Sequence, residues 1–290
     1  MHRARLTDAF PVSWIRTGQD RFSVAVRLPH DHPFFAPVRG GHDPLLIAET
    51  LRQAVALVSH AAYDVPLDHA FSLTSLRYDC VPDRLDVGDW PVAVDVELIC
   101  APVGRRRGGL TQLDVELAIR HAGHVVATGE IAVRIITAAA YRRLRGEMTG
   151  HTYARPAAPP VPAALVGRAD TGDVLLAATA HPHSWELRVD TSHPTLFQGP
   201  KDHVPGMVLL EAARQAAQAT SEPESFIPYA CDVSFDNYAE FGVPCLIEAR
   251  PLPDLSASGA AVRVTGHQEG RAVFRADLRD RTAVPLGADR

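Results

Sequence analysis

One long internal repeat constrains the fold of this chain more than any other feature of the sequence. Residues 32–54 (HPFFAPVRGGHDPLLIAETLRQA) match residues 193–216 (HPTLFQGPKDHVPGMVLLEAARQA), with one residue, Gly206, inserted in the second copy. Seven identical pairs of distinctive residues occur in the same order: His32/His193, Pro33/Pro194, His42/His203, Pro44/Pro205, Glu49/Glu211, Arg52/Arg214 and Gln53/Gln215. Chance explains such an ordered set poorly, so we predict two copies of one domain.

The same order of elements surrounds each copy. Each matching segment ends in an apolar run that predicts a long helix. Period-two alternation then predicts strands at 71–81, 90–100, 110–120 and 125–136, and again at 226–235, 243–249, 260–266 and 272–278. Turn sequences such as HAGH and HQEGR separate neighbouring strands. The pattern predicts the α+β class, with two antiparallel sheets each wrapped around a central helix. This is a double hot-dog, a pseudo-dimer within one chain.

The domain limits follow from the repeat and from a change in composition between its copies. We expect an N-terminal hot-dog domain at 1–140, a linker at 141–170 and a C-terminal hot-dog domain at 171–290. The linker contains the Pro/Ala-rich sequence ARPAAPPVPAA at 154–164, which is typical of a semi-rigid spacer. Residues 1–14 and 282–290 are predicted to be loosely ordered.

Composition excludes several classes of function. The 290 residues carry a net charge of −5, which argues against a nucleic-acid partner. The sequence contains no apolar run near the ~20 residues that span a membrane, and its first residues do not resemble a secretory signal. Four scattered cysteines, without a CxxC pair, indicate reduced thiols in a cytoplasmic protein. The histidines lack metal-ligand spacing, so we expect no metal and no cofactor.

Both predicted helices carry charge where an apolar surface is expected. The helix at 44–61 is apolar on all sides, which is typical of a buried helix. Glu49, Arg52 and Gln53 nevertheless form one polar stripe on it, and the second copy repeats that stripe. A buried carboxylate and guanidinium are costly unless they pair. Two interpretations stay open: a structural ion pair between the domains, or residues of a functional site.

The start of the second helix adds a candidate binding feature. Pro205 and Gly206 precede Met207, and glycine allows a ligand to approach the backbone closely. Amide groups at a helix start, together with the helix dipole, can stabilise a thioester oxyanion. The first copy retains Pro44 but lacks the glycine, so the second copy is expected to offer the better oxyanion site.

The motifs resemble two known families. PGMVLLEAARQ at 205–215 resembles the helix start of FabZ-type hot-dog dehydratases, whose catalytic histidine directly follows an FxG element. Here FQG at 197–199 is followed by Pro200, and the nearest histidine is His203. Over the full chain, HPFF with GHDPLLIAETLRQ and SHPTLFQGPKDHVPGMVLLEAARQ resemble the AfsA family of γ-butyrolactone biosynthesis enzymes more closely.

The AfsA resemblance implies an acyltransferase. Such an enzyme moves a β-ketoacyl group from acyl carrier protein to a hydroxyl of dihydroxyacetone phosphate. The product leads to a γ-butyrolactone, butenolide or furan-type signalling molecule that controls secondary metabolism. By position, the key helix residues of the family fall on Glu49, Glu211 and Arg214. We expect the protein to be a monomer with an internal pseudo-dimer, or a homodimer.

Roles for the remaining candidates follow from the chemistry of ester formation. The catalytic set is predicted to be Glu49, Glu211, Arg214, His203 and His42, and the substrate-binding set Arg52, Gln53, Gln215, Gly206, Met207 and Lys201. A histidine or glutamate would act as the base, and Arg214 or Lys201 would bind the phosphate. The pocket is expected at the seam between the copies, with His42 near Glu211 or His203 near Glu49. The alternatives are a dehydratase or thioesterase on the same thioesters, and a catalytically silent ligand-binding regulator.

Overall fold

The computed structural model describes residues 5–86, 88, 91–106, 109–146, 158–199, 201–221, 225–253 and 259–280. The first half contains β1 (Pro11–Gly18), β2 (Arg21–Leu28), α1 (Pro44–Ala62), β3 (Ala70–Cys80), β4 (Val92–Arg106), β5 (Gly109–His121), β6 (His124–Ile136) and α2 (Ala138–Arg145). The second half contains β7 (Leu176–Ala178), β8 (Ser184–Leu187), α3 (Gly206–Ser221), β9 (Ala230–Phe235), β10 (Leu246–Leu252), β11 (Ala261–Gln268) and β12 (Arg271–Arg279).

The two halves have the same topology and share one sheet. The strand order is β1-β2-β4-β5-β6-β3-β9-β12-β11-β10-β8-β7, so the second half repeats the first in reverse. The halves join through β3 and β9, which pair antiparallel from Ser75 opposite Ser234 to Asp79 opposite Ala230. This join leaves no sheet edge at the centre of the molecule. The predicted double hot-dog is confirmed, and its two sheets form one continuous twelve-stranded sheet.

The long helices α1 and α3 lie inside the curved sheet because almost every position on them is apolar or small. Leu45, Leu46 and Ile47 of α1 are fully buried, as are Ala212 and Ala213 of α3. Close packing also depends on Gly129 of β6, since a Cβ atom there would collide with the Leu51 side chain of α1. The sheet therefore surrounds both helices and buries the Glu49 and Glu211 carboxylates of their polar stripes.

The N-terminal prediction was wrong for the residues that the structure describes. Leu6–Asp8 form a 3-10 helix and Pro11–Gly18 form β1, with Asp8 and Phe10 buried. This segment is held against α1, because the Phe10 amide donates to the Gln53 side chain at 3.0 Å. Residues 1–4 and 282–290 lie outside the described residues.

The predicted domain limits stay a prediction. The described part of the expected linker, 141–146 and 158–170, includes most of α2 and a 3-10 helix at Ala163–Val166. Val166 is fully buried. In the part of the chain that the structure describes, no helix is long and apolar enough to cross a membrane. All four cysteines are buried with free thiols.

Candidate active site

Glu49 on α1 forms an ion pair with Arg52 in which the carboxylate is buried and the guanidinium is partly exposed. Its side chain is 1% exposed, and Arg52 donates to both carboxylate oxygens, at 2.9 Å from Nε and 2.7 Å from Nη2. Gln53 Nε2 donates to the same carboxylate at 2.7 Å. The Arg52 side chain is 27% exposed. The pair is therefore fixed on the carboxylate side and accessible on the guanidinium side.

The equivalent pair on α3 has the same geometry and a more enclosed environment. Arg214 donates to both Glu211 oxygens at 2.8 Å, and Gln215 Nε2 donates to Oε1 at 2.5 Å. The Arg214 side chain is only 9% exposed, and Glu211 is fully buried. The polar stripe predicted from the repeat thus forms the same local arrangement in both halves.

A histidine–aspartate hydrogen bond lies next to each polar stripe, and the sequence pattern did not predict either one. His32 Nε2 donates to Asp8 Oδ1 at 3.2 Å, while its Nδ1 accepts from the amides of Phe34 and Phe35. Gln53 then donates to the Asp8 carbonyl at 2.7 Å. The His–Pro pair in both copies of the repeat was the available signal for this support.

The second half reproduces that support. His193 Nε2 donates to Asp173 Oδ1 at 3.0 Å, and Nδ1 accepts from two following amides. Gln215 donates to the Asp173 carbonyl at 2.7 Å and accepts from the Leu175 amide at 2.8 Å. Gln53 and Gln215, which we predicted to bind substrate, therefore connect the helix carboxylates to the chain that packs against them.

A cavity of about 520 Å³ lies at one seam between the halves. Glu49 and Arg52 contribute to its wall from the first half, and His203 contributes from the second. The start of α3 contributes Gly206 and Met207. Other lining residues include Phe35, Phe71, Ser72, Leu73, Thr74, Arg134, Ile136, Leu144, Leu196, Gln198, Lys201, Val204, Pro205, Leu209, Phe235, Asp236, Asn237, Tyr238 and Ala239. Residues from both copies thus enclose the same space.

The start of α3 presents amide groups to this cavity, whereas the start of α1 is closed by a side chain. Asp43 caps α1, and its carboxylate accepts from the Leu45 amide at 2.8 Å. Val204 stands at the corresponding position before α3 and has no side-chain acceptor. Within the described chain, the amides of Gly206 and Met207 have no hydrogen-bond acceptor. These two N–H groups can receive a ligand oxygen.

A histidine–aspartate pair lies beside this helix start. His203 Nδ1 is 2.8 Å from Asp202 Oδ1, so the carboxylate holds the proton on Nδ1 and leaves Nε2 as the basic nitrogen. Tyr141 of α2 also donates to Asp202, at 2.8 Å. The His203 ring is 4.6 Å from the Tyr238 ring, and both residues line the cavity.

Arg145, at the end of α2, anchors this pair from behind. It donates to Asp202 at 2.8 Å and through two nitrogens to Glu240 at 2.6 Å, and its own side chain is 6% exposed. Burial raises the pKa of Asp202, but its hydrogen bonds from His203, Arg145 and Tyr141 outweigh burial and hold that pKa far below the usual range. Asp202 is therefore a fixed anion. Sequence spacing gave no sign that α2 supports His203.

Arg168 closes the second seam. It donates to Glu211 Oε1 at 2.8 Å and to the Phe34 carbonyl of the other half at 2.6 Å, and it stacks 4.2 Å from the Phe34 ring centre. Desolvation raises the pKa of Glu211, but Arg168 and Arg214 outweigh it and bring that pKa to about 2. Glu211 and Arg214 are thus part of a packed ionic network rather than of the cavity wall.

His42, the counterpart of His203, does not lie in the cavity. Its charged surroundings are Asp86, His121 and His30, and desolvation lowers its imidazole pKa to about 4. The structure therefore unites Glu49, Arg52, Lys201, His203, Gly206 and Met207 around one space. It places Glu211, Arg214 and Gln215 at the other seam. Among the described residues, no group of three or more His, Cys, Asp or Glu side chains is arranged to hold a metal ion.

A double hot-dog with a cavity between its copies defines the class of this protein. The chain matches the family described as the A-factor biosynthesis hotdog domain, AfsA, over residues 1–137 and 150–283. It therefore belongs to that family.

Curated relatives support this membership over nearly the whole chain. A Streptomyces coelicolor protein named 2-oxo-3-(phosphooxy)propyl 3-oxoalkanoate synthase is 51% identical over 279 residues, which are 96% of this chain and 89% of the relative. A Streptomyces virginiae protein of the same name is 42% identical, covering 94% of this chain and 93% of the relative.

Solved structures share the fold at low sequence identity. An oleoyl thioesterase (putative) from Lactobacillus plantarum has a TM-score of 0.58 and 13% identity, covering 92% of this chain and 98% of that one. The 12:0-ACP thioesterase from Umbellularia californica has a TM-score of 0.53 and 9% identity, covering 92% and 100%. At this identity the likeness concerns the fold alone.

Proposed function

We propose that the protein is a 2-oxo-3-(phosphooxy)propyl 3-oxoalkanoate synthase that acts in the biosynthesis of a butyrolactone-type signalling molecule. It transfers a 3-oxoacyl group from an acyl carrier protein thioester to a hydroxyl of dihydroxyacetone phosphate. The observation that carries this proposal is the meeting, in one cavity, of Glu49 and Arg52 from one copy with His203 and the α3 start from the other. The names of the relatives supply the substrate class.

His203 is the general base in this proposal. With Asp202 bonded to Nδ1, Nε2 accepts the proton of the acceptor hydroxyl as the hydroxyl oxygen attacks the thioester carbonyl. The fixed charge of Asp202 stabilises the imidazolium that forms. The same proton then passes to the sulfur as the C–S bond breaks, and the new C–O bond remains in the ester.

The amides of Gly206 and Met207 stabilise the tetrahedral oxyanion. They lie at the positive end of α3, where Val204, two residues before Gly206, offers no competing carboxylate. The Glu49–Arg52 pair, on the wall of the same cavity, orients the acceptor through its accessible guanidinium. Each copy thus supplies a different part of the site.

Apolar side chains form the wall that would contact the acyl chain. Phe71, Leu73, Met207, Leu209 and Phe235 line the cavity beside the proposed oxyanion site. A cavity of about 520 Å³ lies within the ordinary size of small-molecule pockets. The site therefore combines a few polar groups with apolar surface, as a 3-oxoacyl chain requires.

Product analysis tests this proposal directly. Purified protein is incubated with a 3-oxoacyl carrier protein thioester, with and without dihydroxyacetone phosphate, and products are measured by mass spectrometry. We expect the phosphorylated ester only when the acceptor is present. Omission of the acceptor is the matched control for hydrolysis.

Each other outcome points to another reaction. Free 3-oxo acid formed at equal rates with and without acceptor would identify a thioesterase. Enoyl product from a 3-hydroxyacyl thioester would identify a dehydratase. Binding of the thioester without turnover would identify a silent regulator, and any of the three would overturn the synthase.

A further inference from the structure

We infer that Arg134 and Ser72 form a phosphate-binding pair at the mouth of the cavity. The inference rests on the proposed function and deepens it by assigning a site for a phosphate ester. The ester belongs either to the acceptor, dihydroxyacetone phosphate, or to the phosphopantetheine arm of the carrier. Neither residue belongs to the repeated motif.

The pair is built by strand register. Ser72 of β3 stands directly opposite Arg134 of β6 in an antiparallel ladder. Side chains at directly opposed positions lie on the same face, with Cβ atoms ~5 Å apart. Both residues line the cavity. A hydroxyl and a guanidinium therefore stand side by side at its wall.

Arg134 is a solvent-exposed residue of that wall. On β6 the odd-numbered residues Ile131, Val133 and Ile135 are buried, whereas Arg134 is exposed. Glu49, in contrast, is fully buried within the same cavity. The cavity thus extends from a buried carboxylate to an exposed guanidinium, and a ligand entering from solvent meets Arg134 early.

The guanidinium of Arg134 is available to a ligand. Across the described residues, Arg134 has no ion pair and the Ser72 side chain has no hydrogen bond. Arg77, on the neighbouring part of the same two strands, is instead 3.8 Å from Glu130. An arginine that has no protein carboxylate beside a cavity is suited to a two-pronged contact with phosphate.

The charged side chains on the cavity wall favour an anionic ligand. Glu49 is neutralised by Arg52, and Asp236 is the other carboxylate on the wall. Arg134 and Lys201 both contribute positive charge. Their sum exceeds the charge of Asp236, although the chain as a whole carries −5. A local positive excess on an acidic protein attracts a phosphate group.

The experiment compares Arg134→Ala with wild type in two arms. The first arm uses a 3-oxoacyl N-acetylcysteamine thioester, which has no phosphate, and varies dihydroxyacetone phosphate or unphosphorylated dihydroxyacetone. The second arm saturates the acceptor and compares the carrier protein thioester with the N-acetylcysteamine thioester. Arg77→Ala is the matched control, because it removes an exposed arginine from the same strand pair outside the cavity.

The result of each arm identifies the source of the phosphate. If Arg134 binds the acceptor, its removal raises KM for dihydroxyacetone phosphate about tenfold or more, and KM for dihydroxyacetone stays unchanged. If it binds the pantetheine arm, KM rises only for the carrier thioester. Ser72→Ala should produce a smaller rise in the same arm, and Arg77→Ala should match wild type.

Two failures stay distinguishable. Unchanged KM values for all four substrates in an active Arg134→Ala enzyme would overturn the phosphate-binding pair and leave the synthase intact. Ester formation absent from wild type in every arm would instead overturn the synthase. Equal rises in KM for dihydroxyacetone and its phosphate would also refute phosphate recognition, because the lost contact would then not concern the phosphate.

Discussion

The two seams between the repeat copies contain the same Glu–Arg pair, but the surroundings of that pair differ. At the first seam Glu49 and Arg52 face a cavity, and the opposing helix start offers free amides. At the second seam Glu211 and Arg214 are joined by Arg168, and Asp43 already caps the opposing helix. The chemistry of a residue pair therefore depends less on its motif than on what the opposing copy places in front of it.

The contrast explains how one duplication can serve two needs. A buried ion pair is weak evidence for added stability, yet breaking one leaves an uncompensated charge. At the closed seam the Arg168 and Arg214 guanidinium groups share the Glu211 carboxylate and fasten the two halves together, since Arg168 also contacts the backbone at Phe34. At the open seam one guanidinium keeps access to solvent. We propose that the closed seam is structural and the open seam catalytic.

Replacing each glutamate by glutamine in turn gives the largest expected effect on stability. Glu211→Gln leaves the Arg168 and Arg214 guanidinium groups buried without their anion, and we expect a loss of ~3–5 kcal/mol in the free energy of unfolding. Glu49→Gln should cost clearly less stability, because Arg52 is 27% exposed and can be hydrated. Urea unfolding measures both. Equal losses would show that the seams are not energetically different.

Substitution of His203 and of His42 tests which seam is catalytic. His203→Gln removes the proposed base, so ester formation should fall by ~10²–10³-fold, or about 2.7–4 kcal/mol of transition-state stabilisation. His42→Gln, at the equivalent position of the other copy, should remain within about twofold of wild type once folding is confirmed by thermal melting. A large loss from His42→Gln alone would reverse the assignment of the active seam.

Acid titration probes the closed seam without mutation. The pKa of Glu211 falls from an ordinary value of 4.5 to about 2 in the folded protein. The unfolded chain therefore binds the proton first, and stability is lost as pH falls from about 4.5 toward 2. Glu49→Gln should retain this loss. Glu211→Gln should not show the part of this loss that Glu211 causes. If its stability fell with acid as much as that of wild type, the ionic network would be contradicted.

His42 adds a dependence of comparable size at higher pH. Burial lowers its pKa from 6.5 to about 4, so the unfolded state takes up a proton first as pH falls below 6.5. Stability should decline between pH 6.5 and 4 by at most ~1.4 kcal/mol per pH unit, the limit for one proton. His42→Gln should flatten this part of the profile. A profile that keeps its slope would assign the protons to other groups.

The repeat predicted the two helices, their polar stripes and the antiparallel strands, because hydrophobic period and identity are local signals. It did not predict β1, whose exposure follows no period of two. Nor did it identify Arg168, which the sequence assigned to a linker, or the support that Arg145 gives to His203. Those contacts join residues far apart in the chain, and no spacing rule contains them.

One sequence signal could have separated the seams. Asp43 and Val204 occupy equivalent positions, one before each helix, and only the aspartate can cap its helix. That difference predicts a closed helix start in one copy and an open one in the other. The motif residues themselves are identical in both copies, so they could not show which Glu–Arg pair faces a cavity.

Replacing each arginine by lysine gives the smallest effect and the finest test of the comparison. Lysine keeps the charge but cannot donate to both carboxylate oxygens in the arginine geometry. Arg214→Lys should lower the free energy of unfolding by ~1.5–3 kcal/mol, the value of one charge-assisted hydrogen bond, with turnover nearly normal. Arg52→Lys should change stability by less than ~1 kcal/mol, because that side chain is partly solvated.

The activities of the two lysine variants should rank in the opposite order. Arg52 lies on the cavity wall, so Arg52→Lys should lower ester formation about tenfold, a loss of ~1.4 kcal/mol. Steady-state rates at low acceptor concentration, with melting curves on the same preparations, give both quantities. If folded Arg214→Lys instead lost ~10²-fold in rate while Arg52→Lys did not, the enclosed guanidinium would be the functional one. The Glu211 seam would then have to open to substrate, although the Arg214 side chain is only 9% exposed.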